Sequence, residues 1–131
     1  MTRQKPSKNS RRKIFVAENY PILRFRICSD LSRMGYDAFG YSSWHTAVWH
    51  AHRDMPDLII TNCDEPGMTE AEKPEQLKAD QTMGRIKIIG YLTWERQQDT
   101  NGFDFVLRYL SVLKPTNLDT LYTKVKEMLE E

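Results

Sequence analysis

The chain has little of what defines several common protein classes. It has only two cysteines, Cys28 and Cys63, among 131 residues, which is too few for a disulfide framework in a chain long enough to build its own core. No charge sign dominates, because 19 basic and 18 acidic residues leave a formal net charge of +1. The first residues have no apolar stretch of the kind that a signal peptide or a membrane span needs. We therefore expect a cytoplasmic protein with protein partners, and neither nucleic-acid nor membrane binding.

The first twelve residues are polar and basic. They include Arg3, Lys5, Lys8, Arg11 and Arg12. We predict a disordered arm over residues 1–12, followed by a single domain over 13–131. A basic arm could also contact nucleic acid, and that alternative predicts that deleting residues 1–12 abolishes a salt-dependent interaction.

From Lys13 onward, short apolar runs alternate with amphipathic segments. This alternation is typical of a parallel sheet that has helices on both faces, because strands covered on both sides are apolar throughout. The predicted strands are 13–17, 36–39, 58–61, 86–91 and 109–113. The sequence therefore predicts a doubly wound α/β domain with five parallel strands.

Capping residues and apolar spacing predict the helices. The first is expected over 21–34, with a proline in its first turn and Gly35 as its stop, and the second begins near Ser43. Pro74 cannot lie inside a helix, so the third is expected to be short and to start near it. The fourth is predicted over 103–108 and the last over 117–130.

Three polar motifs lie where predicted strands end, which is where an open α/β sheet binds ligands. The motifs are VAENYP over 16–21, PDLIITN over 56–62 followed by PGM over 66–68, and the pair Lys114 and Pro115. In this order they resemble the receiver domains of bacterial response regulators (CheY-like), over about residues 13–130. The separations agree with that family, with 30 residues from Asn62 to Leu92 and 22 from Leu92 to Lys114. The resemblance implies a flavodoxin-like fold.

In the family that the chain resembles, an aspartate accepts a phosphoryl group and an acidic pair helps it to hold magnesium. Here the acceptor position is Asn62, and the acidic-pair positions are Glu18 and Asn19. An amide is a very poor nucleophile, so Asn62 cannot form the acyl phosphate. Magnesium prefers carboxylate oxygens, so we expect magnesium binding to be weak or absent and predict no cofactor.

The remaining positions of the motif also differ from the family. Leu92 stands where the family has a Thr or Ser, and Ser111 stands where it usually has an aromatic ring, so we predict that both switch positions are degenerate. A shift of one residue would instead bring Thr93 to the first of them. Lys114 matches the family's lysine, and we hypothesise that it pairs with Glu18. Unchanged stability after Lys114→Met would count against that pair.

These observations predict a pseudo-receiver in two-component or phosphorelay-type signalling, which acts by binding proteins without phosphorylation and is not an enzyme. By analogy, its binding surface is the predicted fourth helix, fifth strand and last helix, roughly 102–130, and a homodimer is possible. It would be a stand-alone adaptor or a piece of a longer chain. The alternative is a receiver that still performs magnesium-dependent phosphotransfer, with Asp64 as acceptor and Glu18 as a second ligand.

Other sites are weaker on the sequence. His45, His50 and His52 lie on the second helix without cysteine or carboxylate partners at ligand-like spacing, so we predict a helix surface and no metal. Cys63 is expected in the core. The turn at 18–22 has no glycine and does not resemble a phosphate-binding loop.

Overall fold

The computed structural model describes residues 11–63, 73–92, 100–108 and 115–130. Five strands are present in this part of the chain. They are β1 (Lys13–Ala17), β2 (Asp37–Tyr41), β3 (Leu58–Asn62), β4 (Lys87–Leu92) and β5 (Phe105–Arg108). The α-helices are α1 (Pro21–Arg33), α2 (Trp44–Ala51), α3 (Pro74–Ala79) and α4 (Pro115–Leu129), and a 3₁₀-helix spans Met83–Arg85.

The strands form one parallel sheet in the order β2-β1-β3-β4-β5. Alternate residues of the central strands face opposite layers. Ile14 and Val16 of β1 pack with α1 and α4, whereas Phe15 packs with α2, α3 and the 3₁₀-helix. This is the doubly wound, five-stranded fold that the sequence predicts.

Helix starts and stops follow the sequence signals. Pro21 is the first residue of α1, and Gly35 follows its end with φ of 101°. The Ser43 hydroxyl accepts a hydrogen bond from the Thr46 N–H at 3.0 Å and so caps α2. Pro74 begins the six-residue α3, as predicted. None of the described helices is long and apolar enough to cross a membrane.

The predicted helix over 103–108 is wrong, because residues 105–108 form β5. This strand pairs with residues 89–92 of β4, and Asp104 fixes its start by accepting a hydrogen bond from the Ile88 N–H at 2.7 Å and one from Lys78 at 2.6 Å. The turn at Asn101 and Gly102 comes directly before an aromatic and β-branched run, which favours a strand. The strand predicted over 109–113 lies outside the described residues.

Gly102 provides a sharp test of this part of the fold. Gly102 and Gly35 both have positive φ, 88° and 101°. A Cβ at Gly102 would lie 2.3 Å from the backbone N of Glu75, whereas one at Gly35 would meet nothing within 4 Å. We expect Gly35→Ala to cost about 1 kcal/mol of unfolding free energy through backbone strain alone. Gly102→Ala should cost about 3 kcal/mol or more, because the clash adds to the strain. Equal losses in urea denaturation would contradict the close approach to α3.

Candidate functional site

The carboxyl ends of β1, β3 and β4 meet at one edge of the sheet. Side chains alternate along a strand, so Glu18 continues the face of Ile14 and Val16. Asn62, the last residue of β3, likewise follows Leu58 and Ile60, and it is the register partner of Tyr91 in β4. Three polar side chains from three strands are thereby placed together beneath α1.

Glu18 is the centre of this group, although only 1% of its surface is exposed. Its Oε1 accepts one hydrogen bond from the Asn62 Nδ2 at 3.1 Å and another from the Tyr91 hydroxyl. Its Oε2 accepts a third from the backbone N–H of Tyr20 at 2.8 Å. Both carboxyl oxygens therefore act as acceptors for uncharged donors, as burial of such a group requires.

Arg24 joins the same region from α1. Its Nη1 donates to the backbone carbonyl of Glu18 at 2.7 Å, and its own N–H donates to the Tyr20 carbonyl at 3.0 Å. A Cβ added to Gly40 of β2 would lie 3.0 Å from the Arg24 Cγ, so the arginine stem packs on the bare backbone of this glycine. The turn between β1 and α1 is thus held at its backbone as well as at the Glu18 side chain.

Comparison with solved structures identifies this architecture. A receiver domain of a signal transduction histidine kinase from Syntrophus aciditrophicus superimposes on this chain with a TM-score of 0.75. The two are 23% identical over 90% of this chain and 89% of that one. A sensor histidine kinase receiver domain from Pseudomonas aeruginosa gives 0.74, with 21% identity over 92% and 99% of the two chains. The chain has the receiver-domain fold.

A response regulator from Thermotoga maritima shares that fold with a TM-score of 0.70 and 21% identity over 89% of this chain and 98% of that one. No protein-family profile matches the chain, and no curated protein matches its sequence. At these identities the likeness shows the receiver fold alone. The activity has to be argued from the residues of the site.

Magnesium is the cation that this fold implies, since the Pseudomonas receiver domain was solved with magnesium coordinated in its active-site cleft. The donor set here does not fit it. Among the described residues, Glu18 is the carboxyl group at this edge, and both of its oxygens accept hydrogen bonds. Its side-chain partners are an amide N–H and a phenol O–H. These groups present hydrogens where a cation needs oxygen lone pairs. Across the described residues, no group of three or more His, Cys, Asp or Glu side chains could hold a metal ion.

The structure brings together two of the predicted site residues. Glu18 and Asn62 are in contact, whereas Asn19, the other acidic-pair position, is exposed. Leu92 is the last residue of β4 and is fully buried. Ser111, Lys114 and Asp64 lie outside the described residues, so the Glu18–Lys114 pair and the Asp64 alternative stay hypotheses.

Tyr91 is the site residue that the sequence analysis did not identify. Alternation along β4 places it on the same face as Ile89, but nothing local shows that it lies opposite Asn62. That relation depends on the register between β3 and β4, which are joined by a long connection. A tyrosine in an otherwise aliphatic buried strand was the available signal, because a buried phenol needs a hydrogen-bond partner.

The cysteines and histidines do not form a second site among the described residues. Cys63 is buried, and its Sγ lies 2.4 Å from the position that a Cβ of Gly90 would take, in agreement with the predicted core position. Burial raises the pKa of Cys28 to about 11, which keeps it a thiol at neutral pH. His50 stacks on Tyr41 with ring centroids 4.6 Å apart, on the helix surface as predicted.

Asn62→Asp tests the charge requirement at this edge. The introduced carboxyl group would lie about 3 Å from Glu18, and like charge raises its pKa above the unfolded value of about 4. The resulting loss of stability, about 1–3 kcal/mol, is complete above the raised pKa of the folded state and disappears as the pH falls below the unfolded value. Urea denaturation at pH 7 and pH 3.5 measures the effect. Asn62→Ala is the control, and a pH-dependence equal in the two variants would contradict the expected repulsion.

Proposed function

We propose that the chain is a signalling module of receiver fold that binds a protein partner without being phosphorylated at residue 62. The observation that carries this proposal is the hydrogen bond from the Asn62 amide to the buried Glu18 carboxyl. In this position an aspartate would supply both the nucleophile and the negative charge. The amide supplies neither, and instead it donates a hydrogen bond to the Glu18 carboxyl group.

The same contacts would hold the carboxyl-end edge of the sheet in one conformation. The Tyr91 hydroxyl and the Asn62 amide are already engaged with Glu18, so the edge is held by groups that belong to the chain itself. The Thermotoga regulator was solved in complex with magnesium and a beryllium–fluorine group. The present chain would keep one arrangement of this edge with or without magnesium and a phosphoryl donor. Its signalling would then depend on how much of the chain is present and not on its phosphorylation state.

The exposed apolar side chains favour α1 as the surface for the partner. Ile22 and Phe25, three residues apart on α1, are 63% and 74% exposed, and Tyr20 at its start is half-exposed. No large hydrophobic side chain is exposed among the described residues within the predicted surface, 102–108 and 118–130. We therefore place partner binding on the first two turns of α1. A Phe25→Asp variant that bound the protein partner as tightly as the wild-type chain would contradict this placement.

Incubation with acetyl phosphate and magnesium, followed by intact mass spectrometry, tests the proposed function. We expect no phosphoryl adduct, because residue 62 has no carboxylate to attack the donor. A receiver domain that keeps the acceptor aspartate is the positive control under the same conditions. A magnesium-dependent adduct on the present chain would contradict the proposal. Its loss on Asp64→Asn would then identify the acceptor of the alternative mechanism.

A further inference from the structure

We infer that Tyr91 is a positioning residue, whose hydroxyl acts with the Asn62 amide in place of a divalent cation and fixes the first turn of α1 through Glu18. This inference rests on the proposed function and deepens it, because it names the contacts that hold the site in one arrangement. The three side chains are called the Glu18 junction below.

The polar groups of the Glu18 junction need hydrogen-bond partners within the protein, because two of its three side chains are buried. Tyr91 is fully buried and Glu18 is 1% exposed. A phenol hydroxyl and a carboxyl group that are shielded from water each need a partner, and each supplies what the other lacks. Hydrogen bonds to an ionised carboxylate are stronger than those between neutral groups. The Tyr91 hydroxyl therefore adds to the contribution of the apolar ring, because its hydrogen bond links β4 to Glu18 at the end of β1.

The junction continues into α1 through the backbone. The Glu18 Oε2 accepts from the N–H of Tyr20, the residue that immediately precedes the helix, and the Tyr20 carbonyl accepts from the Arg24 N–H. The Arg24 guanidinium returns to the Glu18 carbonyl at 2.7 Å. These bonds close a ring between Glu18 and the first turn of α1. A displacement of the Glu18 side chain would break the bond to Tyr20 and loosen this turn, which carries the exposed Ile22.

A cation at Glu18 would have to compete with these donors. Its positive charge needs the lone pairs of Oε1, and both the Asn62 N–H and the Tyr91 O–H are directed at that atom. Magnesium could bind at Oε1 only after the two donors had turned away, which would break both of these hydrogen bonds. Removing both donors and restoring a carboxylate at residue 62 should therefore create a response to magnesium.

Amide exchange by NMR tests the positioning role. Tyr91→Phe removes only the hydroxyl, and Tyr41→Phe is the matched control, because the Tyr41 ring makes aromatic contacts to Phe15 and His50. We expect Tyr91→Phe to lower Tm by about 4 °C or more and to speed exchange of the Tyr20 N–H about tenfold. Tyr41→Phe should leave the exchange of Tyr20 unchanged. Unchanged exchange in Tyr91→Phe, or equal acceleration in both variants, would overturn the inference.

Thermal unfolding with and without millimolar MgCl₂ tests the substitution for a cation. We expect no change in Tm for the wild-type chain and for Tyr41→Phe, and a rise of several degrees for the double variant Asn62→Asp/Tyr91→Phe. A rise in the wild type equal to that in the double variant, or none in the double variant, would overturn the inference. Neither experiment uses a phosphoryl donor, so a phosphoryl adduct on the wild type would refute the proposed function while leaving the role of Tyr91 to be judged on these results.

Discussion

A carboxyl group buried at the edge of the sheet is the constraint on which the described site depends. Glu18 lies at the end of β1 beneath α1, where water cannot reach its oxygens. It must therefore find its donors within the protein. The structure provides an amide from β3, a hydroxyl from β4 and a backbone N–H from the start of α1. All three of these donors are uncharged groups of the chain itself.

The sheet topology makes this arrangement possible. Strand β1 lies between β2 and β3, and β4 lies next to β3, so their carboxyl ends share one edge. The alternation of side chains then brings Glu18, Asn62 and Tyr91 to the same layer as the buried face of α1. The opposite layer, with Phe15 and Trp44 at its centre, has no part in the site and supplies apolar burial. The site therefore belongs to one face of the sheet, whereas both faces bury apolar side chains.

Local patterns in the sequence predicted most of the fold, and the resemblance to receiver domains predicted two of the three side chains of the Glu18 junction. Caps such as Ser43 and apolar runs such as 58–61 act over a few residues, and they place the elements correctly. The run 103–108 was too short for its period to distinguish strand from helix, and pairing with β4 decided it as a strand. Tyr91 could not be assigned because its contact with Glu18 joins residues 73 positions apart. Such contacts are set by strand register, which a single sequence does not reveal.

A double-mutant cycle between Glu18 and Tyr91 measures whether the Tyr91 hydroxyl stabilises the protein through the Glu18 carboxyl group. Glu18→Met removes the acceptor oxygens with little change in volume, and unfolding free energies in urea are measured with tyrosine or phenylalanine at residue 91. We predict that Tyr91→Phe costs about 1–3 kcal/mol in the wild-type background and close to nothing when Glu18 is replaced by methionine. Equal losses in the two backgrounds would contradict it, because the hydroxyl would then stabilise the protein without Glu18.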